Sequence, residues 1–105
     1  MQRIIETSIE IASNQFKSFG FNEKQILSLT ESGKKDLTNE LINLKGLLEK
    51  DKMNRLNIDL SIHAIKGLLS TMGNKELARK LSSTHDEEDD DNNIKVEEIK
   101  SVLEL

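Results

Sequence analysis

The amino-acid sequence predicts an all-α protein, arranged as an antiparallel up-down four-helix bundle with an additional N-terminal helix. The chain has no proline and five glycines in 105 residues, so few residues interrupt a helix. Apolar residues, mostly leucine and isoleucine, recur at intervals of three and four, which is the period of an amphipathic helix. The length suits a single core, and we therefore expect one domain over residues 1–105.

The first helix is predicted over residues 2–18. Gly20 should end it, because glycine readily adopts the backbone conformations that a tight turn requires. Its apolar side is formed by residues spaced by three and four, namely Ile5, Ile9, Ala12, Phe16 and Phe19.

The second helix is predicted over residues 23–50. Asn22, with Gln25 three residues later, resembles a capping box at its start. Seven residues then stay in phase at 100° per residue: Ile26, Thr30, Gly33, Leu37, Leu41, Leu44 and Leu48. Because the phase continues through Gly33, we expect one long helix with a weak point there rather than two short helices.

Three more helices are predicted, over residues 54–72, 75–84 and 94–105. Gly73 is placed to end the third helix, and Asn74 is placed to cap the fourth.

The last two helices are separated by an expected acidic loop at residues 86–93. Five helices with short connections favour a bundle over residues 23–105, with the first helix lying across one end.

The net charge of −4 is concentrated near the end of the chain. Residues 86–105 contain nine acidic and two basic side chains, whereas residues 1–85 contain ten acidic and thirteen basic ones. The basic residues form no stripe interleaved with aromatic residues, so we expect no nucleic-acid binding.

The composition also disfavours several other classes of protein. There is no cysteine, so a disulfide framework and a cysteine-based metal site are excluded, and we predict no metal site. The first residues lack the basic and apolar regions of a signal peptide, and no apolar run approaches the length of a membrane span. We therefore expect a soluble, cytoplasmic protein with no membrane contact.

The third helix carries a histidine, His63, on the side opposite its apolar stripe. At 100° per residue the stripe consists of Ile58, Ile62, Ile65, Leu69 and Met72. The outward side around the histidine contains Leu56, Asp59, Leu60, Lys66, Gly67 and Ser70.

Two neighbours of His63 favour a functional role. Gly67 costs about 1 kcal/mol relative to alanine inside a helix, which is explained if another molecule must approach the backbone closely. Lys66 lies one turn beyond His63, where its ammonium group can reach an anion carried on the imidazole. The alternative is that His63 is an ordinary polar residue on a solvated helix side.

The sequence around His63 resembles the histidine-containing phosphotransfer (HPt) domains of two-component phosphorelays. Their pattern is H-x-[LI]-K-G-x-x-x-x-[LFM]-G-x-x-x-L, and residues 63–77 match it from His63 through Lys66, Gly67 and Gly73 to Leu77. The resemblance implies that His63 is phosphorylated, that Lys66 stabilises the phosphoryl oxygens and that Gly67 leaves room for the partner. It also implies that the partner docks on Leu56, Asp59, Leu60, Ala64 and Ser70.

The same resemblance implies the partners and the chemistry. The chain would relay a phosphoryl group between aspartates of response-regulator receiver domains, supplied by a hybrid sensor histidine kinase. It would hold no cofactor of its own, since the receiver domain supplies Mg²⁺, and it would have no autonomous catalytic activity. We expect it to act as a monomer.

The chain departs from the family pattern at two places. Leu68 and Leu69 occupy positions where the family has small residues, and His85 occupies the position of a Gln or Glu that orients the imidazole. His85 could take over that orienting role. The alternative is a solvated histidine at a helix end.

Two other functions remain open at this point. Residues 87–98 carry acidic side chains at several ligand positions of a calcium-binding EF-hand loop, although an ordinary solvated loop explains the same run. The other alternative is a helical adaptor that binds a partner helix without phosphate, for which Asp59, His63, Lys66 and Gly67 could be altered with little effect.

Overall fold

The computed structural model describes residues 1–50, 52, 54–85 and 94–105, which form five α-helices and no strand. The all-α prediction is confirmed, and every predicted helix is present with each end within two residues of its expected place. The helices are α1 (Gln2–Ser18), α2 (Glu23–Leu48), α3 (Arg55–Met72), α4 (Lys75–Thr84) and α5 (Val96–Leu103).

Asparagine side chains cap three of the helices. At the start of α2, Asn22 Oδ1 accepts a hydrogen bond from Gln25 N at 2.8 Å, and Gln25 Oε1 accepts one from Asn22 N at 3.0 Å. This reciprocal pair confirms the predicted capping box. Asn54 and Asn74 likewise accept backbone N–H groups at the starts of α3 and α4.

Helix α2 continues through Gly33 without a break, as the apolar phase predicts. The side chain of Met72 lies over this glycine, with its Cε 3.5 Å from the place that a Cβ would take. The predicted weak point is therefore covered by the end of α3.

The core is formed by apolar residues from all five helices. Helix α2 makes its broadest contact with α3; α1 packs on both of them, α4 packs on α3 and α5, and α5 also reaches α2. The buried apolar residues are Ile4, Ile5, Ala12, Leu37, Leu41, Leu44, Leu47, Leu48, Ile58, Ile62, Ile65, Leu69, Met72, Ala78, Leu81, Ile99 and Leu103.

Phe19 is an exception to the predicted apolar side of α1, because it is exposed. The helix ends at Ser18, and the chain then turns through Gly20, which has a φ of +88°. After this turn Phe21 packs edge-on against Phe16, with ring centroids 5.8 Å apart. Phe21 is less exposed than Phe19, at 38% against 65%, but neither ring is part of the core.

The turn between α3 and α4 is built around Gly73, which ends α3 as predicted. Its φ is +91°, and its N–H bonds to carbonyl oxygens of the last turn of α3. Helix α1 covers this turn: Gln15 Nε2 donates to Thr71 O at 3.0 Å, and a Cβ on Gly73 would lie 2.4 Å from Gln15 Oε1. The backbone conformation favours glycine, and a side chain here would also have to displace the end of Gln15.

The predicted acidic loop at residues 86–93 lies outside the described residues. Within the described parts of the chain, no helix combines the length and the apolar character needed to cross a membrane.

Candidate functional site

A partly buried polar contact joins α3 to α2. Ser61 is buried; its Oγ donates to Glu40 Oε2 at 3.2 Å and accepts from Asn43 Nδ2 at 3.4 Å. Together with the apolar stripe of α3, this contact turns one side of the helix inward. His63 lies on the opposite side of α3 and is exposed.

The exposed stripe of α3 that contains His63 will be called the His63 face; it consists of Leu56, Leu60, His63, Gly67 and Ser70. The two leucines are 66% and 60% exposed, although leucine is normally buried. They lie on the N-terminal side of the histidine, at spacings of seven and three residues. The exposed apolar surface of these two leucines therefore lies beside the imidazole of His63.

Lys66 and Ala64 flank the His63 face and are partly buried. Lys66 is three residues beyond His63, a spacing that makes the two side chains neighbours on a helix. The ammonium group of Lys66 can therefore reach an anion carried on the imidazole.

Gly67 faces open space. A Cβ built on it would have no atom within 4 Å, so packing within the chain does not require glycine there. The same is true of Gly46 on α2, which means that open space alone does not mark a docking site. What distinguishes Gly67 is its position one turn from His63, beside a shallow groove whose α2 side carries Asp36 and Glu40.

His85, which follows α4, is 5% exposed, so the interpretation of it as a solvated histidine is wrong. Its ring packs toward α3, where Nε2 forms a hydrogen bond with Asp59 Oδ1 at 2.5 Å. A carboxylate only accepts, so Nε2 carries the proton. The predicted orienting action of His85 on His63 stays a prediction.

Asp59 is therefore held by two partners. Its Oδ1 accepts from His85, and its Oδ2 lies 3.7 Å from Arg55 Nε, one turn earlier on α3. Asp59 was predicted to contact the docking partner, and its carboxylate is instead partly buried and engaged within the chain. Its predicted contact with a partner stays a prediction.

Two of these polar contacts were not predicted from the sequence: the Ser61–Glu40 bond and the Asp59–His85 bond. Each joins residues more than 20 positions apart in the chain, so helical periodicity carries no signal for it. Periodicity predicts that Asp59 lies on the outward side of α3, but it does not identify the partner of Asp59.

No metal-binding arrangement is found in the described parts of the chain, where no three His, Cys, Asp or Glu side chains come together as ligands would. The predicted calcium loop at residues 87–98 lies mostly outside those parts; its last acidic pair, Glu97 and Glu98, lies exposed in the first turn of α5.

Comparisons with protein-family models, with curated proteins and with solved structures found no match to this chain.

Proposed function

We propose that this chain is a histidine phosphotransfer protein that relays a phosphoryl group between receiver-domain aspartates through phospho-His63. In this proposal α2 to α5 form an antiparallel four-helix bundle, and α1 covers one end. The observation that carries the proposal is the placement of an exposed histidine, with Lys66 and the unobstructed Gly67 one turn away, on a helix whose other side is fully packed.

A nucleophile that works only against a partner must be held in place before the partner arrives. Helix α3 meets this need, because its inner residues Ile58, Ile62 and Ile65 are buried and Ser61 bonds to α2. The imidazole is thus presented on a rigid support, with little rearrangement expected on docking.

In this reaction the main contribution of the chain is to position the imidazole of His63. A neutral imidazole nitrogen of His63 attacks the phosphorus of a phospho-aspartate, the N–P bond forms, and the bond from phosphorus to the aspartate oxygen breaks. The carboxylate leaves on the receiver, and the reverse reaction returns the phosphoryl group to another receiver. The Mg²⁺ held by the receiver supplies most of the charge stabilisation of the loose transition state, and Lys66 adds one further positive charge beside the phosphoryl oxygens.

The docking surface combines an apolar and a charged part. Leu56 and Leu60 offer apolar area that a partner can desolvate beside the reacting group. On the other side of Gly67, Asp36 and Glu40 favour basic side chains at the edge of the partner's surface. Receiver domains and the hybrid sensor kinase that phosphorylates them are the partners we propose.

A helical adaptor that carries no phosphate is the second candidate, because the exposed Leu56 and Leu60 would serve it equally well. The two functions differ in what they require of His63. An adaptor keeps its partner when His63 is replaced, whereas a phosphotransfer protein loses its activity.

The proposal is tested by incubating the chain with phosphorylated receivers and following the label. Wild type should acquire phosphate that is labile in acid and stable in base, as expected for phosphohistidine. The His63→Gln variant should fold with the same helix content and acquire none. Equal labelling of that variant contradicts the proposed function, and receiver binding without any labelling of wild type favours the adaptor.

A further inference from the structure

The carboxylate of Asp59 is a negative charge near His63, and contacts with two other residues restrain its direction. Asp59 precedes His63 by four residues, so the two side chains are neighbours on α3, with Cβ atoms about 5–6 Å apart. Both carboxylate oxygens are nevertheless engaged with other groups, Oδ1 with His85 and Oδ2 with Arg55.

We infer that His85 is a positioning residue that holds the Asp59 carboxylate away from the phosphoryl group arriving at His63. This inference rests on the proposed function, since it concerns the same imidazole. It differs from the sequence prediction for His85, in which that side chain would orient the imidazole of His63 directly.

Of the two partners of Asp59, His85 is the stronger restraint. Its ring is buried and its Nε2 lies 2.5 Å from Oδ1, whereas Arg55 is partly exposed and its Nε lies 3.7 Å from Oδ2. His85 also comes from the end of α4, so it restrains Asp59 from outside the helix. Arg55 lies on α3 itself and moves with Asp59.

Loss of the His85 contact would let the Asp59 side chain turn toward His63. A carboxylate one helical turn from a doubly charged phosphoryl group repels it even in water-like surroundings, and we expect phosphorylation of His63 to slow by about tenfold. The chemical reactivity of the imidazole itself should not change.

Two reagents of different charge distinguish repulsion by the Asp59 carboxylate from a change in the reactivity of the imidazole. Neither reaction needs a receiver. Phosphoramidate is an anionic donor: the imidazole nitrogen attacks phosphorus, the P–N bond of the reagent breaks, and ammonia leaves. Diethyl pyrocarbonate is a neutral acylating agent: the nitrogen attacks a carbonyl carbon, and ethyl carbonate leaves. Both rates at His63 are measured by mass spectrometry at the same mildly basic pH.

The variants are His85→Leu, which removes the donor; His85→Gln, which keeps one; Asp59→Asn; and the His85→Leu/Asp59→Asn double variant. Thermal unfolding and helix content are recorded for each variant. Should His85→Leu not fold, His85→Met fills a similar volume without a donor and takes its place.

We expect His85→Leu to slow the reaction of His63 with phosphoramidate by about tenfold, while the rate of its reaction with diethyl pyrocarbonate stays the same. His85→Gln should behave as wild type with both reagents, and Asp59→Asn should restore the phosphoramidate rate in the double variant. The inference is overturned if both reagents slow together, if the double variant stays slow, or if His85→Leu reacts as fast as wild type.

Failure of this inference about His85 can be told apart from failure of the proposed phosphotransfer function. A chain that shows this charge-dependent pattern but accepts nothing from phosphorylated receivers keeps the positioning role and loses the phosphorelay function. A chain that accepts phosphate from receivers but reacts with phosphoramidate independently of His85 loses only the positioning role.

Discussion

Replacing Gly67 with alanine should stabilise the chain and impair phosphotransfer. The added methyl group would have no atom within 4 Å, so no contact in the folded chain opposes it. Alanine is favoured over glycine by about 0.8–1.0 kcal/mol in a helix interior, and Gly67 lies well inside α3. For a domain of this size, that free energy raises Tm by roughly 4 °C.

The same methyl group would project from the His63 face, one turn from the reacting nitrogen. If a receiver docks there, it must shift to avoid the methyl group, and we expect phosphotransfer to slow by about tenfold, which corresponds to about 1.4 kcal/mol. Gly46→Ala is the matched control, because its Cβ also meets open space but lies on α2. It should gain stability, by less since it is near the helix end, and transfer at the wild-type rate.

Thermal unfolding gives the stability of the two variants, and the rate of label transfer from a phosphorylated receiver gives their function. Faster or unchanged transfer by Gly67→Ala would place the docking surface away from Gly67. A lowered Tm would show that some contact in the chain does need glycine at this position.

Three further substitutions test other parts of the account. Leu60→Ala should raise the receiver concentration needed for half-maximal transfer by roughly fivefold, while Leu27→Ala, whose side chain is equally exposed at 59%, should leave it unchanged; equal effects would argue against docking at the His63 face. Lys66→Ala should slow transfer without abolishing it, and an unchanged rate removes Lys66 from the site. Gly73→Ala should destabilise the chain by at least about 1 kcal/mol in thermal or urea unfolding, because alanine disfavours a φ of +91° and its Cβ would meet Gln15; wild-type stability would contradict the described turn.

The helices could be predicted from the sequence because their signals are local. The capping box at Asn22, the continuous phase through Gly33 and the left-handed Gly73 each depend on residues a few positions apart. The outward direction of His63 follows from the same periodicity. The prediction for Phe19 was wrong, because α1 ends at Ser18 and the turn at Gly20 follows, which leaves the Phe19 side chain exposed.

The contacts that join helices could not be predicted in the same way. Asp59 and His85 are 26 residues apart and meet because α4 packs beside α3. Periodicity places Asp59 on the outward side and gives no information on the partner that covers its carboxylate. His85, at a helix end before an acidic run, has the sequence context of an exposed residue and is buried.

The relay of a phosphoryl group through His63 is tested most directly by isolating the labelled chain and mixing it with an unphosphorylated receiver. We expect the label to map to His63 before mixing, and then to leave the chain and appear on the receiver's aspartate. Label found on any other residue, or label that stays on His63 in the presence of every receiver that donated it, would contradict the account.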